Sequence, residues 1–226
     1  ALARVPEDMR YFCESVPETL AYDGAGTEIF CEVAVMLDLK LDKAAVIGYN
    51  IGRQYPRAES YQIMGSADLV IVEADRVVVV DYKTGNGYVP SPEKNWQMRA
   101  LAYALCKIHD KGRALCRIVR VSEDGTVQWI DAELDELFLS VTRDELTAIY
   151  DKILAAKSTI DAGGVPDVKH GKHCQFCPAM LHCPAYGKAI RLWAGSPTDC
   201  SERLTALAKS EPAKAWRAIT LAEKSI

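Results

Sequence analysis

Apolar and polar positions alternate along this chain in blocks short enough to be strands, with longer stretches of helical period between them. Pro6 to Tyr22 reads as a helix that ends before Asp23-Gly24. Glu28 to Leu39 is rich in β-formers and reads as a strand, and the polar, turn-rich stretch Lys40 to Ser60 follows it as a connection. Tyr61 to Val72 reads as a second strand, interrupted by Gly65. Arg76 to Lys83 reads as a third, joined to it by a hairpin turn over Glu73-Ala74-Asp75. Val77 to Val80 are all valine, which suits a strand covered on both faces. Thr84 to Pro92 holds two glycines and two prolines and reads as a loop. In Glu93 to Asp110, Met98, Leu101, Ala102, Leu105 and Ile108 recur at helical spacing. Leu115 to Val121 and Thr126 to Ala132 predict a hairpin around Glu123-Asp124-Gly125, and Glu133 to Ile160 a long helix that Gly163-Gly164 and Pro166 end. The tail from Ala185 reads as helical but weakly patterned. The order of elements is not a regular βαβ alternation. The expected fold is therefore α/β in the mixed, α+β sense: a central mixed sheet flanked by helices.

A chain of 226 residues can bury one substantial core and carry a small appendage. Its apolar and charged fractions, 49% and 26%, are those of a globular protein and exclude a disordered one. No apolar run approaches the roughly 18–20 residues of a membrane span. Pro6, Glu7 and Asp8 stand where a signal peptide needs an apolar stretch. The chain is accordingly expected in the cytoplasm, with no membrane partner. The net charge of −4 and a pI near 5.6 run against the basic footprint of a nucleic-acid binder. Phosphate binding would have to be local, and Arg113, Arg117, Arg120 and the segment Lys169 to His173 are the candidates.

Two groups of residues carry chemistry. The first is Asp68, in Gly65-Ser66-Ala67-Asp68, with Asp81-Tyr82-Lys83. Side chains alternate along a strand, so Asp81 and Lys83 share a face, and the hairpin brings Asp68 beside them. Two carboxylates and an ammonium then converge at the end of an apolar strand pair. Hard divalent cations favour such oxygen ligands. An Asp-x-Lys at a strand end is commonly just an ion pair. What sets this one apart is that Asp81 follows four valines directly, and a buried strand does not carry a charge without a partner or a task.

These residues resemble the RecB-like branch of the PD-(D/E)XK nucleases, in which a glycine-x-x-aspartate strand precedes an Asp/Glu-x-Lys strand and a glutamine-bearing helix. Gly65-Ser66-Ala67-Asp68, Asp81-Tyr82-Lys83 and Gln97 match in type and order, and the wording looks like phage- and CRISPR-associated members. The resemblance spans roughly Glu28 to Tyr186. It implies a restriction-endonuclease-like core and a Mg²⁺- or Mn²⁺-dependent deoxyribonuclease, an exonuclease. Asp68 and Asp81 would bind metal with Glu32 in support, Lys83 would assist hydrolysis, and Gln97 would orient Lys83 or substrate. DNA is the implied partner, alongside proteins of a recombination or phage complex. The sequence departs from the pattern in two places. The family tyrosine four residues after the glutamine is replaced by Leu101, which leaves Tyr103 as a packing residue or a partner of Arg99. The family also carries a histidine on an N-terminal helix. No histidine precedes His109, so an upstream segment is expected to supply it. The rival reading is a catalytically inactive DNA-binding or assembly module of the same fold.

The second group is Cys174-x2-Cys177-x5-Cys183-Pro184. Thiolates at this spacing converge on one soft centre, and that chemistry alone leaves zinc and iron–sulfur open. The proline after the last cysteine resembles ferredoxin-type loops. The spacing is similar to the C-terminal cluster motif of RecB-like nucleases, which implies a structural 4Fe–4S cluster with a fourth cysteine upstream. Cys13 is the first choice for it. Cys31, Cys200, a residue of the upstream segment, or a zinc site completed by His173 or His182 remain open. Cys106 and Cys116 read as small core residues, and Trp96 as a core anchor or a surface on which a base stacks. The expected organisation is a nuclease core over 1–162, a cysteine-rich segment over 163–190 and a helical tail over 191–226.

Overall fold

The computed structural model describes residues 27–84, 89–122 and 126–169, with Gly171, Cys177, Cys183, Ala185 and Lys209. The expected N-terminal helix, the turn at 123–125, most of the cysteine loop and the tail lie outside the described residues. The elements are β1 (Glu28–Asp38), β2 (Lys43–Tyr49), β3 (Gln62–Val72), β4 (Val77–Thr84), α1 (Trp96–His109), β5 (Ala114–Val121), β6 (Val127–Leu134) and α2 (Glu136–Asp161). The six strands form one sheet in the order β2-β1-β3-β4-β5-β6. Neighbours are antiparallel except β4 and β5, which run parallel and are connected through α1. The fold is thus mixed α+β, a mixed sheet flanked by helices. By internal contacts the chain divides into two compact units, Ala1–Ile153 and Leu154–Ile226. Among the described residues no helix is long and apolar enough to cross a membrane.

The valine run explains the centre of the sheet. Val77 and Val79 enter the main core beneath α1, whereas Val78 and Val80 join Leu69, Ile71, Leu115 and Val119 on the opposite face. All four valines are buried, as a strand apolar on both faces requires. On the α1 side, Met98, Leu101, Ala102 and Leu105 meet the sheet, and Leu139 and Leu146 of α2 complete the layer. Leu105 is fully buried. Leu105→Ala is expected to cost about 2–5 kcal/mol through lost burial and the cavity left behind. That lowers Tm by roughly 4–20 °C in a domain of this size. A Tm within about 2 °C of wild type would show that α1 does not hold the sheet in this way.

Three boundaries differ from the sequence expectation. The stretch read as a connection contains β2, an edge strand paired to β1 from Asp38/Lys43 to Val33/Tyr49. Its Ala44 and Val46 pack against the core while Lys43 and Ala45 are exposed. The alternation existed but ran only a few residues before Gly48, Asn50 and Gly52 gave it the look of a turn. The helix expected from Glu93 begins at Trp96, because the Asn95 side chain accepts the Gln97 and Met98 N–H groups (3.0 and 3.4 Å) and caps it there. The helix expected from Glu133 begins at Glu136. Leu134 is still paired to Ala114 in the sheet, and Asp135 Oδ1 accepts the Phe138 N–H at 2.8 Å.

Candidate active site

The site forms where regular pairing in the sheet ends. On β1, Phe30 packs into the α1-side core, and so do Val33, Val35 and Leu37. Strict alternation cannot place Phe30 and Val33 on one face, so the alternation slips between them. Glu32 sits at the slip with φ 50, in the left-handed region. On β3 the same slip occurs: Ala67 and Val70 share the α1 side, and Leu69 lies opposite. Cys31 pairs with Leu69 and Val33 with Ala67, so Glu32 and Asp68, the two residues at the slips, lie at one level of the sheet.

At that level β3 and β4 part. Their ladder runs from Val72/Val77 to Leu69/Val80 and stops, while β4 stays paired to β5 as far as Thr84. Asp68 Oδ2 accepts the Tyr82 N–H at 2.7 Å, so a carboxylate stands in for the lost backbone acceptor. Asp81 and Lys83 project on the α1 side, where the first turn of α1 carries Gln97. Lys83 Nζ donates to Asp81 Oδ1 at 2.9 Å and to Gln97 Oε1 at 3.4 Å, and Gln97 Nε2 donates to Asp81 Oδ1 at 3.1 Å. The structure thus joins Asp81, Lys83 and Gln97 directly, with Asp68 alongside.

Asp81 is only 2% exposed. Its Oδ2 lies 2.7 Å from Lys83 Nζ, yet it has no hydrogen bond of acceptable geometry. The contact is ionic, and one lone-pair direction of a buried carboxylate is left over. Burial pushes the Asp81 carboxyl above its ordinary value. Lys83 pulls it back, the neighbouring Asp68 charge pushes it up again, and Gln97 lowers it slightly.

Glu32, Asp68, Asp81, Lys83 and Gln97 all line one open cleft of about 650 Å³. Glu32 is an exposed member of the wall. Among the described residues, no three His, Cys, Asp or Glu side chains close into a metal-binding group. What the cleft offers is a carboxylate pair, Asp68 and Asp81, with a buried oxygen lacking a hydrogen bond. That donor set fits Mg²⁺, which keeps several waters and takes one or two carboxylates plus substrate phosphate oxygens.

The model of one protein family matches residues 55–214, a span that includes Asp68, Asp81, Lys83, Gln97 and the three clustered cysteines. The chain belongs to the DUF2800 family. That family is described as protein of unknown function. No curated protein matches. A crystal structure of SSO0001 is similar at 14% identity, with a TM-score of 0.37, over 70% of this chain and 61% of its own. This chain thus spans about three-fifths of the length of that one.

Within this DUF2800 chain, the other residues singled out by sequence have the following places. Tyr103 is buried, and its hydroxyl donates to Asp42 in the β1–β2 turn rather than meeting Arg99. Lys107 Nζ reaches the same carboxylate at 2.8 Å, so α1 is pinned to that turn. Arg99 is itself buried, donates to Thr142 and Glu145 of α2, and lies 4.3 Å from the Trp96 ring centroid. Trp96 is held from one side and 42% exposed. Two of the expected basic residues are spent locally: Arg113 pairs with Glu133, and Arg117 grips Asp131 in a bidentate contact over Trp129. Cys106 and Cys116 are core thiols, and burial pushes Cys106 up to about 12. Cys177 and Cys183 are exposed and half-buried. Cys13, Cys174, Cys200, His173 and His182 lie outside the described residues. Sequence reasoning missed Arg53 and Tyr55, which also line the cleft. They sit in the stretch read as a connection, where no periodicity marks a residue.

His109 stacks beside Phe30 at 6.0 Å, and burial, helped by Lys111 and opposed by Glu28, holds its imidazole below 6.5. The unfolded chain then takes up a proton that the folded one refuses. Stability is intact above about pH 6.5 and falls as pH drops below it. His109→Gln is expected to shallow that decline in urea melts. An unchanged slope would remove His109 from the account.

Proposed function

We propose that this chain is a metal-dependent DNA nuclease of the RecB-like PD-(D/E)XK type with a restriction-endonuclease-like core. The observation that carries the proposal is the meeting of Asp81, Lys83 and Gln97 beside Asp68, where β3 and β4 part. A structural ion pair would need neither the glutamine nor a neighbouring carboxylate that raises the charging cost. Asp68 and Asp81 would hold Mg²⁺ or Mn²⁺, with Glu32 supporting from the cleft wall. When bound, the metal polarises a phosphoryl oxygen and makes water a better nucleophile. Lys83 orients the attacking water and offsets charge growing on the phosphate. Gln97 contacts both Lys83 and Asp81, and so ties the ammonium to the carboxylate. Burial, which raises the Asp81 carboxyl, leaves its ionised form poorly solvated, and a bound cation would offset that cost once the proton is released.

Cys174, Cys177 and Cys183, with Cys13 as fourth ligand, are proposed to carry a structural 4Fe–4S cluster. The donor set fits: three closely spaced thiolates, of which Cys177 and Cys183 are not core thiols in the manner of Cys106 and Cys116. Zinc is the alternative occupant, and the visible absorption of anaerobically purified protein separates the two. The reading makes DNA the substrate and the cytoplasm the place of action. It is tested by hydrolysis of linear DNA on addition of Mg²⁺ or Mn²⁺, abolished by EDTA. DNA left intact by folded, cluster-loaded protein would favour the inactive binding module instead.

A further inference from the structure

The cleft has a second cation. The connection from β2 to β3 brings Gly52, Arg53 and Tyr55 onto the wall that the acidic residues also line. Lys83 is committed to Asp81, whereas Arg53 forms no ion pair with a described residue. Arg53 is exposed, and among the described residues none takes its guanidinium donors. The loop that carries it is held at both ends. Asn50 N–H donates to Glu32 O at 3.0 Å, and the Tyr55 hydroxyl pairs with Ser66 Oγ at 2.9 Å, two residues before Asp68. Successive left-handed residues, Gly52 at φ 56 and Arg53 at φ 63, turn the chain between these ties. Arg53 is therefore referenced to Glu32 on one side and to the Asp68 strand on the other.

The charge balance of the cleft gives this cation a task. Before a metal is bound, Glu32, Asp68 and Asp81 repel a phosphodiester, and the ion pair with Asp81 balances part of the Lys83 charge. A strand of nucleic acid entering the metal-free cleft then needs a second cation opposite the carboxylates. Arginine's planar fork suits two oxygens of one phosphate. We propose that Arg53 is a phosphate-binding residue that takes a backbone phosphodiester of the DNA strand in the cleft, and that the Tyr55–Ser66 pair is the positioning device that holds its loop. The assignment rests on the nuclease reading and adds a substrate contact to it.

The test uses the full chain and a fluorescent single-stranded oligonucleotide, with anisotropy read in EDTA over a range of salt, followed by cleavage kinetics in Mg²⁺. Arg53→Ala is expected to weaken binding about tenfold, the loss of one charge-assisted bidentate contact. It also flattens the dependence of log K on log salt by about 0.7, one phosphate contact's share on a single strand. Arg53→Lys restores the slope but only part of the affinity, because the charge survives and the fork does not. Tyr55→Phe keeps the slope and raises KM. In cleavage, Arg53→Ala raises KM more than it lowers kcat. If wild type binds and cleaves and Arg53→Ala does both unchanged, this inference is overturned and the nuclease reading stands. Binding that depends on Arg53 without cleavage keeps the phosphate site and removes the nuclease. A wild type that neither binds nor cleaves overturns both. Arg53 is exposed, so an equal Tm for the variant is expected and confirms that folding is not what changed.

Discussion

Lys83→Ala is expected to lower the rate of metal-dependent DNA cleavage by about 10³-fold, the cost of losing a preorganised charge at the reacting phosphate. The side chain is about one-third exposed, and its removal leaves Gln97 still able to donate to Asp81. Folding should survive, and so should oligonucleotide binding, because Arg53 is untouched. A single-turnover assay with saturating metal separates this loss of chemistry from a loss of binding. A drop of less than about tenfold would mean that Lys83 serves Asp81 as an ion-pair partner and not the reaction.

Asp81→Asn should abolish cleavage and at the same time stabilise the protein without metal. The physical reason is the sign of the shift. Burial raises the folded carboxyl above its unfolded value, so the folded state holds the proton more tightly. That contribution to stability is present in acid and is lost as pH rises from the unfolded value through the folded one. Where the carboxyl is ionised, the chain carries a buried charge with an oxygen that no hydrogen bond satisfies. The amide removes the charge while keeping the shape, and an increase in Tm of about 2–4 °C is expected, worth about 1 kcal/mol at this size. The gain should shrink as pH is lowered. Mn²⁺ is expected to raise the Tm of wild type and not that of the variant. A lower Tm at neutral pH would show that the Lys83 contact outweighs desolvation, and that Asp81 is held for structure.

Much of this arrangement was legible in the sequence, and the reasons differ by residue. Val77 to Val80 announced a strand buried on both faces, and the charge placed directly after them marked Asp81. The spacing of Met98, Leu101 and Leu105 fixed the face of α1 and with it the position of Gln97. Strict alternation was the wrong rule at Glu32 and Asp68. A φ of 50 at Glu32 shifts its strand by one position, and Asp68 turns from the ladder to the Tyr82 N–H. Neither event has a glycine or proline to signal it. Strand β2 escaped notice because an edge strand needs only one apolar side over a few residues, and Gly48 and Gly52 disguised the rest. Arg53 was illegible for a different reason. Its importance comes from the Tyr55–Ser66 tie and from the cleft opposite, which are properties of the folded chain.

The most direct measurement is cleavage of linear DNA labelled at either end, single- and double-stranded, by anaerobically purified protein beside its Lys83→Ala variant, with Mn²⁺ or Mg²⁺. The account predicts metal-dependent shortening of the DNA by wild type, a product ladder that starts from one labelled end, and near-complete loss of both in the variant. Intact DNA with both proteins, or equal cleavage by both, would contradict it.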